Sequence, residues 1–160
     1  MTTIQQSEVE SEKPEALWAK VERLLARVTL PALRISLGLV FGWFGALKVV
    51  GDSPVAGLVH ATLPWFDQGV LLPILGWVEI VLGLALLAGR PRRVALVAVA
   101  AHLVGTFLVF IDAPSQVMSA GNPLLLTGNG EFVLKNIVLI SAALVLLSQT
   151  RRRQLATETP

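Results

Sequence analysis

Four long apolar runs dominate this sequence and leave it few ways to fold. They extend from Leu30 to Val50, Gly69 to Gly89, Val94 to Ile111 and Phe132 to Gln149; the first two are 21 residues long and the last two 18. About 20 helical residues, rising about 1.5 Å each, cross a hydrocarbon core of about 30 Å. Four runs of that length are more than a water-soluble domain of 160 residues can bury. Composition agrees: 54% of residues are hydrophobic and 15% charged, where soluble domains run at roughly 45–50% and about 25%. The expected fold is therefore all-α, a four-transmembrane-helix bundle over residues 30–149.

The basic residues predict how such a bundle is oriented. Lys13, Lys20, Arg23 and Arg27 precede the first run. Arg90, Arg92 and Arg93 separate the second from the third, and Arg151, Arg152 and Arg153 follow the fourth. The two remaining loops, 51–68 and 112–131, contain no Lys or Arg. Cytoplasmic loops carry the excess of Lys and Arg, so a multi-pass protein of the cytoplasmic (inner) membrane with both termini cytoplasmic is expected. The same placement argues against a nucleic-acid partner despite the pI near 9.5, because the cations are split among three short juxtamembrane clusters. Membrane lipid is the expected contact, with anionic headgroups a further candidate. The absence of cysteine excludes disulfides, thiolate metal sites and Cys-based redox chemistry in this chain.

The segments outside the runs differ in character. Residues 1–13 are polar and aperiodic and read as a disordered cytoplasmic tail; 150–160 read as a basic cytoplasmic tail. In 14–29, Leu17, Val21, Leu24 and Val28 share one helical face with Trp18 and Leu25 beside them, and Glu22, Arg23 and Arg27 lie opposite. This predicts an amphipathic interfacial helix ahead of the bundle, or equally a helix packed beneath it. The 51–68 loop is too apolar to be free and too short to span. It predicts a short helix at the outer interface, with Trp65 and Phe66 in the aromatic belt. The 112–130 loop is expected to cap the outer end of the bundle.

Polar residues inside the runs are the candidates for function, because a charge at mid-membrane usually has a partner or a task. Glu79 lies midway along the second run and His102 midway along the third. A four-residue turn joins these runs, so the two side chains can meet. Lys135 lies about five residues outward of the middle of the fourth run, within reach of the outer surface or of Glu79, with Asn136 beside it. Lys48 and Glu131 mark the outer ends of the first and fourth runs. Arg34 lies about one turn inside the inner end and can snorkel inward. Lys48, Glu79, His102, Lys135 and Asn136 thus outline a polar core in the outer half. It either ties the helices in register or lines a small cavity, open to the outer side, that holds a quinone-like headgroup or passes a proton through Glu79 and His102, with Trp43, Trp77 and Phe107 as apolar walls. A haem would need a second axial group, and His60 falls in a loop. The sequence offers no autonomous catalytic motif, no metal-ligand cluster and no covalent cofactor site. Gly38, Gly42, Gly45, Gly76 and Gly83 permit close helix approach.

Three stretches carry a family resemblance: RISLGLVFGWFGALK (Arg34 to Lys48), GWVEIVLGLALLAGR (Gly76 to Arg90) and GEFVLKNIVLISAAL (Gly130 to Leu144). In Arg34, the Gly-Ala-Leu-Lys ending at Lys48, Glu79 before Leu82-Gly83, and Lys135-Asn136, the chain resembles the DoxX-like family of small bacterial four-helix membrane proteins. The resemblance implies that Lys48, Glu79, Lys135 and Asn136 line a shared polar core. It also implies a bacterial redox or respiratory setting, since the name-giving member is the membrane subunit of a thiosulfate:quinone oxidoreductase. The expected function is a quinone-contacting or accessory membrane subunit that works with a redox protein partner, with quinone or lipid as its noncovalent ligand. The alternative is a stand-alone transporter for a small solute or a proton. A homo-oligomer is compatible with either.

Overall fold

The computed structural model describes the backbone of residues 2–89 and 93–158 and the side-chain surroundings of residues 17–89 and 93–150. Arg90 and Arg92 of the second basic cluster lie outside the described residues, as do the side chains of Lys13 and of Arg151, Arg152 and Arg153. Four helical segments are long and apolar enough to cross a membrane: Leu17–Val50, Gln68–Leu87, Arg93–Asp112 and Gly128–Thr150. Arg34–Pro160 form one compact unit and Met1–Leu33 another.

Helix α1 (Thr2–Val50) is uninterrupted, which corrects two expectations. Residues 1–13, read as disordered, are helical from Thr2, and 14–29 is not a separate element but part of the helix that contains the first span. Gln5, Gln6, Glu8, Glu10, Glu12 and Lys13 are good helix formers even without an apolar stripe. Pro14 and Pro31 each remove one backbone donor without ending the helix. The apolar face foreseen for 17–28 is exposed from Leu17 to Val28. α1 stops where Gly51 adopts φ +87° and the Asp52 N–H returns to the Leu47 carbonyl at 3.0 Å, a glycine-terminated cap.

The 51–68 loop does contain a short helix, α2 (Ala56–Thr62). The second span is α3 (Gln68–Leu87), opened by the Asp67 carboxylate accepting from the Val70 N–H and followed by Gly89 at φ +78°. The third span comprises α4 (Arg93–Gly105), a tighter 3₁₀ turn at Thr106–Leu108 and α5 (Val109–Asp112). The fourth comprises α7 (Gly128–Leu134) and α8 (Asn136–Glu158), joined through Lys135. The basic tail read from residue 150 is thus helical to Glu158.

The 112–130 loop forms α6 (Pro114–Val117) and a small hairpin of β1 (Met118–Ser119) and β2 (Asn122–Leu126). The hairpin is the one departure from an all-helical chain among the described residues. Its two central residues, Ala120 and Gly121, both have positive φ, as a tight two-residue hairpin turn requires. Leu58, Val109, Ala113, Val117 and Val133 bury one another, so α2, α5, α6 and α7 share a core at the end of the bundle that carries the two long loops. Gly130 fits against the Val117 carbonyl, where any side chain would collide. The loops therefore cap one end of the bundle.

Candidate functional site

The site begins with two helices that touch through glycine. A methyl group on Gly45 would stand 2.6 Å from the Gly76 carbonyl oxygen, and one on Gly83 would stand 2.7 Å from the Gly38 carbonyl oxygen. Gly45 thus faces Gly76 and Gly38 faces Gly83, which makes α1 and α3 antiparallel neighbours at backbone contact. In this register Glu79 lies level with Gly42 and Lys48 level with Pro73, about 9 Å apart along the axes. Side chains on a helix lean toward its own N-terminus. On antiparallel helices Lys48 and Glu79 therefore lean toward each other and close that gap.

The result is a buried triad. Lys48 Nζ donates to Glu79 Oε2 at 2.7 Å, and His102 Nε2 lies 2.7 Å from Glu79 Oε1. Lys48 and Glu79 are each 6% exposed. The carboxylate accepts through both oxygens, so His102 donates from Nε2 and its Nδ1 has no protein partner among the described residues. The Phe41 ring meets the imidazole edge-on at 5.8 Å between centroids, and the Phe44 centroid lies 6.0 Å from Lys48 Nζ. The pairing of Glu79 with His102 follows the expectation from depth. Its cation is Lys48, expected at the end of the first span, rather than Lys135.

A second polar group lies one helical turn along the third span from His102. The Asn136 amide donates to Thr106 Oγ1 at 2.8 Å, and that hydroxyl donates to the Leu103 carbonyl at 2.6 Å. The backbone is irregular here in both partners: Thr106 opens the 3₁₀ turn, and Asn136 follows the junction at Lys135. A mid-helix 3₁₀ stretch marks either strain or a functional hinge. Thr106→Val should leave the buried Asn136 amide without its acceptor and cost about 1–3 kcal/mol. Adding Asn136→Leu to that variant should restore part of the loss, measured as thermal stability in detergent.

Between the two groups lies a cavity of about 670 Å³. Its polar lining is Lys48, Glu79, His102, Thr106, Lys135 and Asn136, with Thr62 from α2; the rest is apolar, including Phe41, Phe44, Phe132 and Leu139. α2 contributes Val55 at its start and Leu58, Val59 and Leu63, so the loop helix forms one wall. Lys135 is exposed and has no carboxylate within 4.0 Å among the described residues.

All five predicted polar residues thus line one cavity, but the predicted walls do not. Trp43 and Trp77 are 68% and 57% exposed on the outside of the bundle, and Phe107 packs instead into the loop-end core, stacked on Phe110. The aromatic walls are Phe41, Phe44 and Phe132, the last two in edge contact at 5.5 Å. The expectation of a small site is also corrected. Glycines bring α1 against α3, yet all four spans still contribute lining to a cavity of about 670 Å³. Thr106 and Phe132 are further site residues that the sequence reading passed over; an uncharged hydroxyl or a ring in an apolar run carries no distinguishing signal. Searches against family models, curated proteins and solved structures return no match to this chain.

Proposed function

We propose that this protein is a DoxX-like membrane protein of the bacterial cytoplasmic membrane, and that its cavity holds the headgroup of a quinone. On this reading it serves as a quinone-contacting or accessory subunit of a redox or respiratory assembly. One observation carries the proposal: donors and acceptors converge on a cavity whose walls are otherwise apolar and aromatic. A quinone ring needs hydrogen-bond donors at two carbonyls and a flat apolar slot between them. Lys135 has donors unused by the described residues, Asn136 has a second amide hydrogen, and Phe41, Phe44 and Phe132 supply ring-sized faces. The Lys48–Glu79 pair is already satisfied and acts as the fixed polar floor. A transporter of small polar solutes would need polar groups along a path, whereas here they are gathered at one place.

A soluble quinone analogue should raise the melting temperature of the purified protein by ligand linkage. Lys135→Ala should remove most of that shift, and Ser148→Ala, far from the cavity, should leave it intact. No shift at saturating analogue in the unaltered protein would contradict the proposal.

The orientation belongs to the same proposal and has its own test. The chain has no cysteine, so single cysteines report cleanly. Cysteines replacing Gly57 or Ser119 should react with an impermeant thiol reagent from outside intact cells. Cysteines replacing Thr3 or Thr157 should react only after the cells are opened. External labelling at position 157 would reverse the topology.

A further inference from the structure

We infer that the cavity is loaded sideways from the bilayer, and that its ligand is an amphiphile whose hydrocarbon chain occupies the apolar part while its head meets Lys135 and Asn136. The inference rests on the proposed headgroup site and adds to it the class of molecule and its route. Three observations carry it.

The first is size. At about 670 Å³, the cavity falls within the roughly 300–1,000 Å³ of sites that enclose a whole drug-sized molecule, more than a bare ring would fill. The second is the distribution of polarity. The polar side chains come from one stretch of each span and from Thr62, whose hydroxyl already donates to the Leu58 carbonyl, and the remaining lining, from Val40 and Leu75 to Leu108 and Leu139, offers a ligand only hydrocarbon. A polar solute would leave its own groups unsatisfied against that wall, at a cost of about 1–3 kcal/mol for each buried group.

The third is where the lining reaches the outside. Its exposed members are Gly105, Leu108, Phe132, Lys135 and Val138, all from the third and fourth spans. The lining residues of the first span, the second span and α2 are buried or half-buried. Gly105, Leu108, Phe132 and Val138 belong to helices long and apolar enough to span a membrane, so an opening bordered by them faces acyl chains rather than water. Lys135 is the one cation on that border, placed to meet the head of a ligand that arrives chain and all from the bilayer.

The test compares three probes on the full chain in one detergent, with concentrations expressed per mole of detergent so that partitioning cancels. They are a benzoquinone with a ten-carbon chain, the same ring without the chain, and a ten-carbon alcohol. The tailed quinone should bind at least tenfold more tightly than the tailless ring, read from thermal shifts. Leu108→Trp and Val138→Trp, at exposed positions that tolerate bulk, should weaken the tailed quinone and spare the tailless ring. Equal binding of the two quinones would overturn the inference and leave the headgroup site standing. If the alcohol stabilises as well as the tailed quinone, the chain site holds and the quinone reading falls. If neither quinone binds, both fall.

Discussion

Glu79→Ala is expected to be the most damaging single substitution in the membrane domain. It removes the only carboxylate on Lys48 among the described residues and the acceptor of His102 Nε2. Removing one partner of a buried ion pair costs about 3–5 kcal/mol, because the other charge remains in the low-dielectric interior. Glu79→Gln keeps an acceptor oxygen but not the charge, so its loss should be smaller. The decisive comparison is the double variant Lys48→Met, Glu79→Leu. It removes both charges at similar volume and should recover most of the stability lost by Glu79→Ala. Thermal unfolding in a mild detergent measures all three. If Glu79→Ala melts like the unaltered protein, the triad is not a structural element.

The second large effect is expected at the glycine contact. Gly45→Val or Gly83→Leu must push α1 from α3, because the obstructing atoms are backbone carbonyls, at 2.6 Å and 2.7 Å from the first carbon added. Overpacking a well-packed contact costs about 1–3 kcal/mol and occasionally more. Separating these helices also draws Lys48 from Glu79, so the loss should reach the upper end of that range. Gly42→Ala provides the control: a methyl group there meets nothing within 4 Å, and the variant should melt unchanged. A similar loss at Gly42 would mean that close backbone contact is not what makes these positions sensitive, since alanine has the higher helix propensity.

What was legible in the sequence follows a physical division. Charge against hydrocarbon is a strong signal, so four spans and a polar core could be read from the runs and their interruptions. Equal depth on spans joined by a short turn brought Glu79 to His102. Counting residues located Lys48 correctly but missed its partner, because the lean of both side chains along antiparallel helices adds to their reach. The aromatic walls were misread for a different reason. In a membrane bundle the outer face is as apolar as the interior, so an apolar residue such as Trp43 carries no sign of which way it faces. The amphipathic face of 14–29 set that segment apart from the apolar run that begins at Leu30, but the backbone continues as one helix through both. The hairpin at 118–126 rests on backbone conformation at Ala120 and Gly121, and its three consecutive leucines resemble a piece of span more than a strand.

The most direct test of the account is to extract the lipid that remains with the protein after purification from its native membrane, and to measure quinone per chain by native mass spectrometry. The account predicts about one quinone retained per chain in the unaltered protein and little in Lys135→Ala. Quinone no more abundant with the protein than in bulk lipid, and equal in both variants, would contradict it.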